Sequence, residues 1–434
     1  VKSAAEVKQS AVKVTLAKGI AKTYNGQAQT LTVTEADSEG KITTQGELTV
    51  TDAAGKVLAE GSDFAVSYSA NVNAGTVKVT VAGIGAYSGN VVKSFKIQPA
   101  KAAPVHAVLL DADGEVLAAD QAVFTYVKSG VTPKLLLTAT LPDSEHADQT
   151  IEQVLTEGVD YKVSYQNNKK VTSAKKAGCK VTFLGNYKGA KVTGGYTEFA
   201  ITPASLADAE VVAADLSYAA KNNKAAKYLQ LPFVTVSGTL LAKSEYTVTY
   251  TYADGEKAGS AVNKTDVLSL SAEQPEVTIR AEINAKGVNY TDGETKPYAT
   301  YTVRYTESAK TDISKAKITL ADASGAKVKQ VSYTGKAITF TPGEEGNQAE
   351  LVLTVGSGKN AQTIKGEELS THFDITYANN VAKGKGTVVI SAKAGDDTYV
   401  GARSATFTIA AENVKSAMKL KDTLTELLGR IFGE

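Results

Sequence analysis

Residues 63–97, DFAVSYSANVNAGTVKVTVAGIGAYSGNVVKSFKI, decide the fold. Phe64, Val66 and Tyr68 alternate with Ala65 and Ser67, and Val77, Val79 and Val81 alternate with Lys78 and Thr80. Val91 or Val92 then leads into Phe95 and Ile97. Alternation with period two places one face of each strand in a core and the other in water. Asn71, Asn73 and Gly75 separate the first two runs, and Gly83, Gly85 and Gly89 separate the next two. These residue types reverse a chain, so the stretch predicts a three-stranded antiparallel meander.

The same pattern is written four times. Asp160–Tyr165, Asn167-Asn168, Ala177-Gly178, Gly185–Gly189 and Phe199–Pro203 repeat it in order. A third copy starts at Tyr246–Tyr250 but exchanges the Asn and Ala-Gly turn for an insertion running to about 275. The fourth is faithful, with Phe373–Tyr377, Asn379-Asn380, Tyr399–Gly401 and Phe407–Ile409. The tyrosines that open the copies, Tyr24, Tyr126, Tyr218 and Tyr333, recur about every 100 residues, far above the 20–50 residues of solenoids. Each copy is long enough for a sandwich with its own core. The division expected is an arm or linker at 1–12, repeats at 13–100, 101–204, 205–308 and 309–411, and a terminal segment at 412–434. The fold class expected is all-β: four tandem immunoglobulin-like sandwiches followed by a short amphipathic helix.

That helix rests on a change of period. From Asn413 to Leu428 there is neither Gly nor Pro, and Met418, Leu424, Leu427, Leu428, Ile431 and Phe432 recur at helical spacing. Burying a side chain of this kind is worth roughly 1.5–3 kcal/mol, so the stripe calls for a partner. It docks either on the fourth sandwich or on a neighbouring subunit or cell-envelope partner; these six residues are the candidate assembly interface.

Composition excludes several classes. Lys+Arg of 47 against Asp+Glu of 46 leaves a net charge of +1, so there is no electrostatic footprint for nucleic acid. One cysteine in 434 residues rules out an internal disulfide framework. No apolar run reaches the roughly 18 residues of a membrane span. Opening at Val1 rather than Met fits a processed product or a cut fragment.

The order of motifs resembles the immunoglobulin-like repeats of bacterial (Firmicutes-type) cell-surface and secreted proteins. The residues that carry the resemblance are D-[FY]-x-V-x-Y, N-x-N-A-G, G-x-x-Y-x-G, F-x-I, and the junction Ile201-Thr202-Pro203-Ala204-Ser205-Leu206-Ala207-Asp208-Ala209. The resemblance covers about 13–411 and implies an extracellular location, with repeats serving as spacers, stalks or binding modules.

No constellation for chemistry emerges, so no catalytic, metal or cofactor residue is assigned. His106, His146 and His372 lie far apart without a second ligand at metal spacing, and read as exposed loop histidines. Cys179 occupies an inward strand position and reads as a small buried hydrophobe. Asp63 and Asp160 head the strand motif but become Glu245 and His372 in the other copies, which suits a turn-initiating side chain better than calcium. Tyr87, Tyr187, Tyr290 and Tyr399 read as corner tyrosines with a buried ring and a hydroxyl tied to nearby backbone, rather than a sugar-stacking platform. The function expected is a non-enzymatic extracellular structural protein, a multidomain rod self-associating as subunit or stalk of a bacterial surface fibre or layer. The alternative is an adhesin that meets a host glycan or protein through loops such as 251–275.

Overall fold

The computed structural model describes residues 10–143, 146, 148–342 and 347–411. The chain divides into two compact units, Val1–Thr202 and Pro203–Glu434. The architecture is all-β, as the alternation requires.

One four-stranded sheet recurs four times with the same order. In the first copy Ala21–Thr23 pairs in parallel with Asn90–Gln98, which lies antiparallel to Gly75–Gly83, which in turn lies antiparallel to Phe64–Ser69. The second copy uses Val123–Thr125, Glu198–Thr202, Thr172–Phe183 and Tyr161–Gln166. The third uses Leu216–Tyr218, Tyr298–Tyr305, Glu276–Ala285 and Tyr246–Tyr252, and the fourth uses Val331–Ser332, Ala402–Ala410, Gly384–Ala392 and Phe373–Ala378. A second, smaller layer belongs to each: Lys13–Leu16 with Leu48–Thr51 in the first, and Lys317–Ala321 with Glu350–Val355 and Gln362–Ile364 in the fourth.

The inward residues are those the alternation marks. Phe64, Val77, Val79, Val81, Phe95 and Ile97 are buried and pack with Val14, Leu48 and Val50 of the other layer. Val91 packs on the core while Val92 is 58% exposed, which resolves the ambiguity at that pair. In the fourth copy Val388, Ile390, Phe407 and Ile409 meet Leu320, Leu351, Leu353 and Ile364.

A clamp holds the chain that crosses from one layer to the other. The final tyrosine of the strand motif lends its hydroxyl to the backbone of the crossing segment in every copy. Tyr68 Oη accepts from Leu31 N at 3.0 Å, and Tyr377 Oη accepts from Phe340 N at 2.8 Å. Tyr165 donates to Pro133 O at 3.0 Å and Tyr250 to Gln230 O at 2.7 Å. A partly buried phenol needs such a partner; burial pushes the hydroxyls of Tyr165 and Tyr250 up to about 12.

Three residues beyond the tyrosine an asparagine closes the clamp. Asn71 Nδ2 donates to Gln29 O at 3.1 Å, Asn168 Nδ2 to Val131 O at 3.0 Å and Asn380 Nδ2 to Ile338 O at 2.9 Å. The carbonyl of each asparagine accepts the amide of that same partner residue in return. The residue just before each asparagine is left-handed: Ala70 (φ 58°), Asn167 (φ 53°) and Asn379 (φ 54°). That conformation turns the asparagine back toward the crossing segment; Asn adopts it readily, whereas Ala70 adopts it at a cost.

The third copy lacks the asparagine, and its insertion takes over. Ala225 N donates to Asp266 O and Leu268 N to Asn223 O, both at 2.8 Å, while the Tyr218 hydroxyl donates to Leu268 O. In the fourth copy the turn before the strand motif is instead a short helix, Gly366–His372.

Replacing Tyr377 by Phe removes the acceptor for the Phe340 amide and should cost about 1–3 kcal/mol. The check is urea unfolding of the full chain followed by tyrosine fluorescence, Trp being absent; an unchanged midpoint would contradict the clamp.

Candidate functional site

The residues that head the strand motif fasten turns. Asp63 Oδ2 accepts from Ala59 N and Asp160 Oδ2 from Thr156 N, each at 2.9 Å, and Glu245 Oε2 accepts from Ala242 N at 2.7 Å. Their backbone carbonyls accept from Ile84, Leu184 and Lys286, and that of His372 accepts from Lys393. The head residue therefore ties its own turn to the following Gly/Tyr turn in all four copies.

Of the three histidines, His146 is an exposed loop residue as expected, and the other two depart from that expectation. His106 lies on the strand Val105–Leu110, with its side chain outward. His146 Nδ1 lies 3.0 Å from Asp143 Oδ2 on the surface. His372 ends the short helix half-buried, 2.7 Å from Asp396 Oδ2 and 5.1 Å from the Tyr399 ring centre. The other oxygen of Asp396, Oδ1, accepts from the amides of Thr398 and Tyr399 at 2.9 and 2.7 Å. Burial opposes ionisation of Asp396, but His372 and those two amides outweigh it and hold the carboxyl below its usual 3.8. Cys179 is buried, and desolvation pushes its thiol up to about 12, which disarms it as a nucleophile. No group of three or more His, Cys, Asp or Glu side chains fit to hold a metal ion occurs among the described residues.

The four Gly/Tyr turns behave unequally. Tyr290 and Tyr399 are buried and Tyr87 is half-buried. Tyr187 is fully buried with its hydroxyl unbonded, so the expected tie to backbone is absent there. Its ring instead meets the ring of Tyr24, from the preceding repeat, edge to face at 5.5 Å and 78°. Burial first, and then the Tyr24 side chain beside it, push the Tyr187 hydroxyl well above its usual range.

Around that contact the first unit builds a specific junction. Asn186 Oδ1 accepts from Ala74 N at 2.8 Å, and its Nδ2 donates to Asn73 Oδ1 at 2.9 Å. Gln153 Oε1 lies 3.3 Å from the Tyr24 hydroxyl, and Gln27 Nε2 donates to Asp143 Oδ1 at 3.4 Å. Gly26, at φ +83°, leaves room for Gln153 and Leu141 where a Cβ would sit 3.3 and 3.7 Å from them. The apolar cluster is continuous from Val12 to Ala190 through these residues. The sequence reading expected a separate core for each repeat; here the tyrosine pair joins two layers of side chains into one.

The second unit forms a junction by other means. Asp215 Oδ1 accepts from Thr302 N at 2.8 Å, while its Oδ2 accepts from Gly395 N and its backbone carbonyl from Gly401 N, both at 2.9 Å. Asn379 N donates to Gly238 O at 2.6 Å. Separate apolar clusters surround Tyr301 and Phe340. In both units, then, the Gly/Tyr turn of the later repeat carries the contact to the earlier one. Sequence reasoning singled out these turns but missed Asn73, Asn186 and Asp215, because their partners lie in another repeat. The tail positions Met418, Leu424, Leu427, Leu428, Ile431 and Phe432 lie outside the described residues. Among the described residues no helix is long and apolar enough to cross a membrane.

No protein-family model and no curated protein matches the chain. Among solved structures, extracellular cadherin domains 1–4 of protocadherin gamma B7 are similar over 92% of this chain and 91% of that one, at 11% identity and a TM-score of 0.18. The extracellular domain of protocadherin gamma B4 covers 91% of this chain, which spans 65% of that one, at 10% identity and a TM-score of 0.21. At these scores neither carries an argument about function.

Two predictions test the geometry. Asn186→Ala should raise amide exchange about tenfold in peptides containing Ala74, read by hydrogen-exchange mass spectrometry; unchanged protection would remove Asn186 from the junction. Asp396 has its folded pKa lowered, so its contribution is complete above the ordinary carboxylate value of 3.8 and lost as pH falls through the lowered one. The stability gap between the native chain and Asp396→Ala should therefore stay open at pH 5 and narrow below about pH 4, as measured by urea unfolding.

Proposed function

We propose that the chain is a non-enzymatic extracellular structural protein that serves as subunit or stalk of a bacterial surface fibre or layer. The observation that carries this reading is the fourfold sheet whose first strand runs parallel to its last. With that order the strand that opens each sheet points the same way as the strand that closes it. Hydrogen-bonded junctions within each unit then restrict hinge freedom, and a string of such repeats acts as a stiff spacer. Membership of the immunoglobulin-like repeats of Firmicutes-type surface proteins is part of the proposal and rests on the motif order.

The insertion after Tyr252, the candidate for an adhesin loop, spends backbone groups on its own repeat through Ala225 and Leu268. This favours the spacer over the adhesin. The test is negative-stain imaging together with sedimentation of the purified full chain. Elongated particles that grow in length with protein concentration are expected; a concentration-independent monomer that binds a host glycan or protein array would overturn the reading.

A further inference from the structure

Strand Val105–Leu110 of the second repeat and strand Lys317–Ala321 of the fourth hold the same place in their sandwiches. Each runs into a turn written Asp-Ala-x-Gly, starting at Asp111 and at Asp322, and each then pairs back on itself, Leu110 with Val116 and Ala321 with Lys327. Counting from the two aspartates sets Ala107 against Ile318, Leu109 against Leu320 and Leu117 against Val328. What lies beside the two strands differs. In the second repeat Gly194–Gly195 pairs in parallel with His106 and Ala107. Tyr196 N then donates to Ala107 O at 2.8 Å, and the Tyr196 hydroxyl donates to Leu117 O. Gly195 sits so close to Ala107 that a Cβ there would collide with its backbone. In the fourth repeat the closing strand Ala402–Ala410 stays in its own sheet, paired with 384–391 from Ala402 to Ile409. Lys317–Ala321 is paired on that edge only at Leu320 and Ala321, so among the described residues Lys317, Ile318 and Thr319 have no strand beside them there.

A slot of about 290 Å³ opens along that unpaired edge. Its floor is apolar, formed by the buried side chains of Leu320, Leu351, Val388 and Phe407. Its rim carries Lys317, Lys327, Lys329 and Lys385, all exposed, and no carboxylate is among the lining residues. In the second repeat the places of the first three lysines are held by His106, Val116 and Ala118. The cations therefore appear where the chain leaves the edge open.

We propose that this slot takes an extended acidic segment of another protein, which adds a strand beside Ile318 as Gly194–Gly195 does beside Ala107. An open strand edge offers unpaired N–H and C=O groups, and strand addition draws affinity from them and specificity from side-chain pockets. The second repeat supplies the template for the occupant: a small residue where it passes Ile318, then an aromatic residue whose amide reaches Ile318 O and whose hydroxyl reaches Val328 O. Lysines on an edge repel a like edge; set around an apolar floor, they select a strand flanked by carboxylates. Their attraction speeds encounter and weakens as salt rises. The site goes beyond the structural role above and does not depend on it.

The experiment is fluorescence anisotropy of a labelled peptide, Glu-Val-Thr-Gly-Gly-Tyr-Thr-Glu-Glu, titrated with the full chain at low and high salt. Saturable binding of one peptide per chain is expected, weaker at high salt. Methylating the amide nitrogen of the peptide's tyrosine removes the donor to Ile318 O and should weaken binding about tenfold. Lys327→Glu with Lys329→Glu changes two exposed side chains and should weaken it about tenfold as well. That variant should in turn bind the peptide whose glutamates are replaced by lysines, which wild type should not. Hydrogen-exchange mass spectrometry gives the position: peptides spanning 316–320 should slow when the acidic peptide is bound, and those spanning 105–110 should not. A methylated peptide that binds as tightly as its parent marks a general site for polyanions and overturns strand addition. Unchanged exchange at 316–320, binding indifferent to the two glutamates, or no binding at all overturns the site.

Discussion

The hydroxyl of one tyrosine per repeat, together with a nearby asparagine, fixes how the two layers of each sandwich are joined. A crossing segment has no strand partner of its own, so its backbone groups need bonds from elsewhere. Tyr68 with Asn71, Tyr165 with Asn168 and Tyr377 with Asn380 provide them two residues apart on the segment. Everything downstream follows from that placement. The crossing segment follows the edge strand that runs parallel to the last, as Ala21–Thr23 does to Lys96–Gln98, and carries the chain from Tyr24 onward to the other layer. Where the asparagine is missing, the insertion in the third repeat restores the bonds by backbone alone.

The same short motifs serve both the inside of a repeat and its meeting with the next. Asn73 stands two residues after the clamp asparagine, and its side chain is free to take Asn186. The Gly/Tyr turn begins with a residue bonded to the head of the strand motif and ends against the neighbouring repeat. A substitution in such a turn thus changes folding and assembly of repeats together. The second unit reaches the same end through Asp215, one carboxylate oxygen bonded to its own sheet and the other to the next repeat. Two chemistries for one task show that the requirement is a filled donor–acceptor set, not a particular side chain.

Much of the fold was legible from alternation. Val77, Val79, Val81, Phe95 and Ile97 announce their face by period two, and the structure buries them all. The division between layers was not legible, because Leu48 and Val50 carry the same signal as Val79. The backbone ties of Tyr68, Tyr165, Tyr250 and Tyr377 were not singled out, and of the four corner tyrosines Tyr187 departs from the expectation by packing its ring on Tyr24. Both kinds of tyrosine repeat at fixed positions, so recurrence could not separate them. The pairing of Asn73 with Asn186 joins residues in different repeats, a relation that spacing within one repeat does not encode.

Parallel pairing between Ala21–Thr23 and Lys96–Gln98 also decides how a repeat meets a pull on its two ends. The first strand would be drawn one way and the last the other, along their common axis. Every hydrogen bond of that patch is then strained in shear at the same moment, instead of parting singly as in a zipper. The short parallel strand is the smallest element of the sheet by length. Under tension it becomes the lock, and a repeat holds its shape until the whole patch gives way at once.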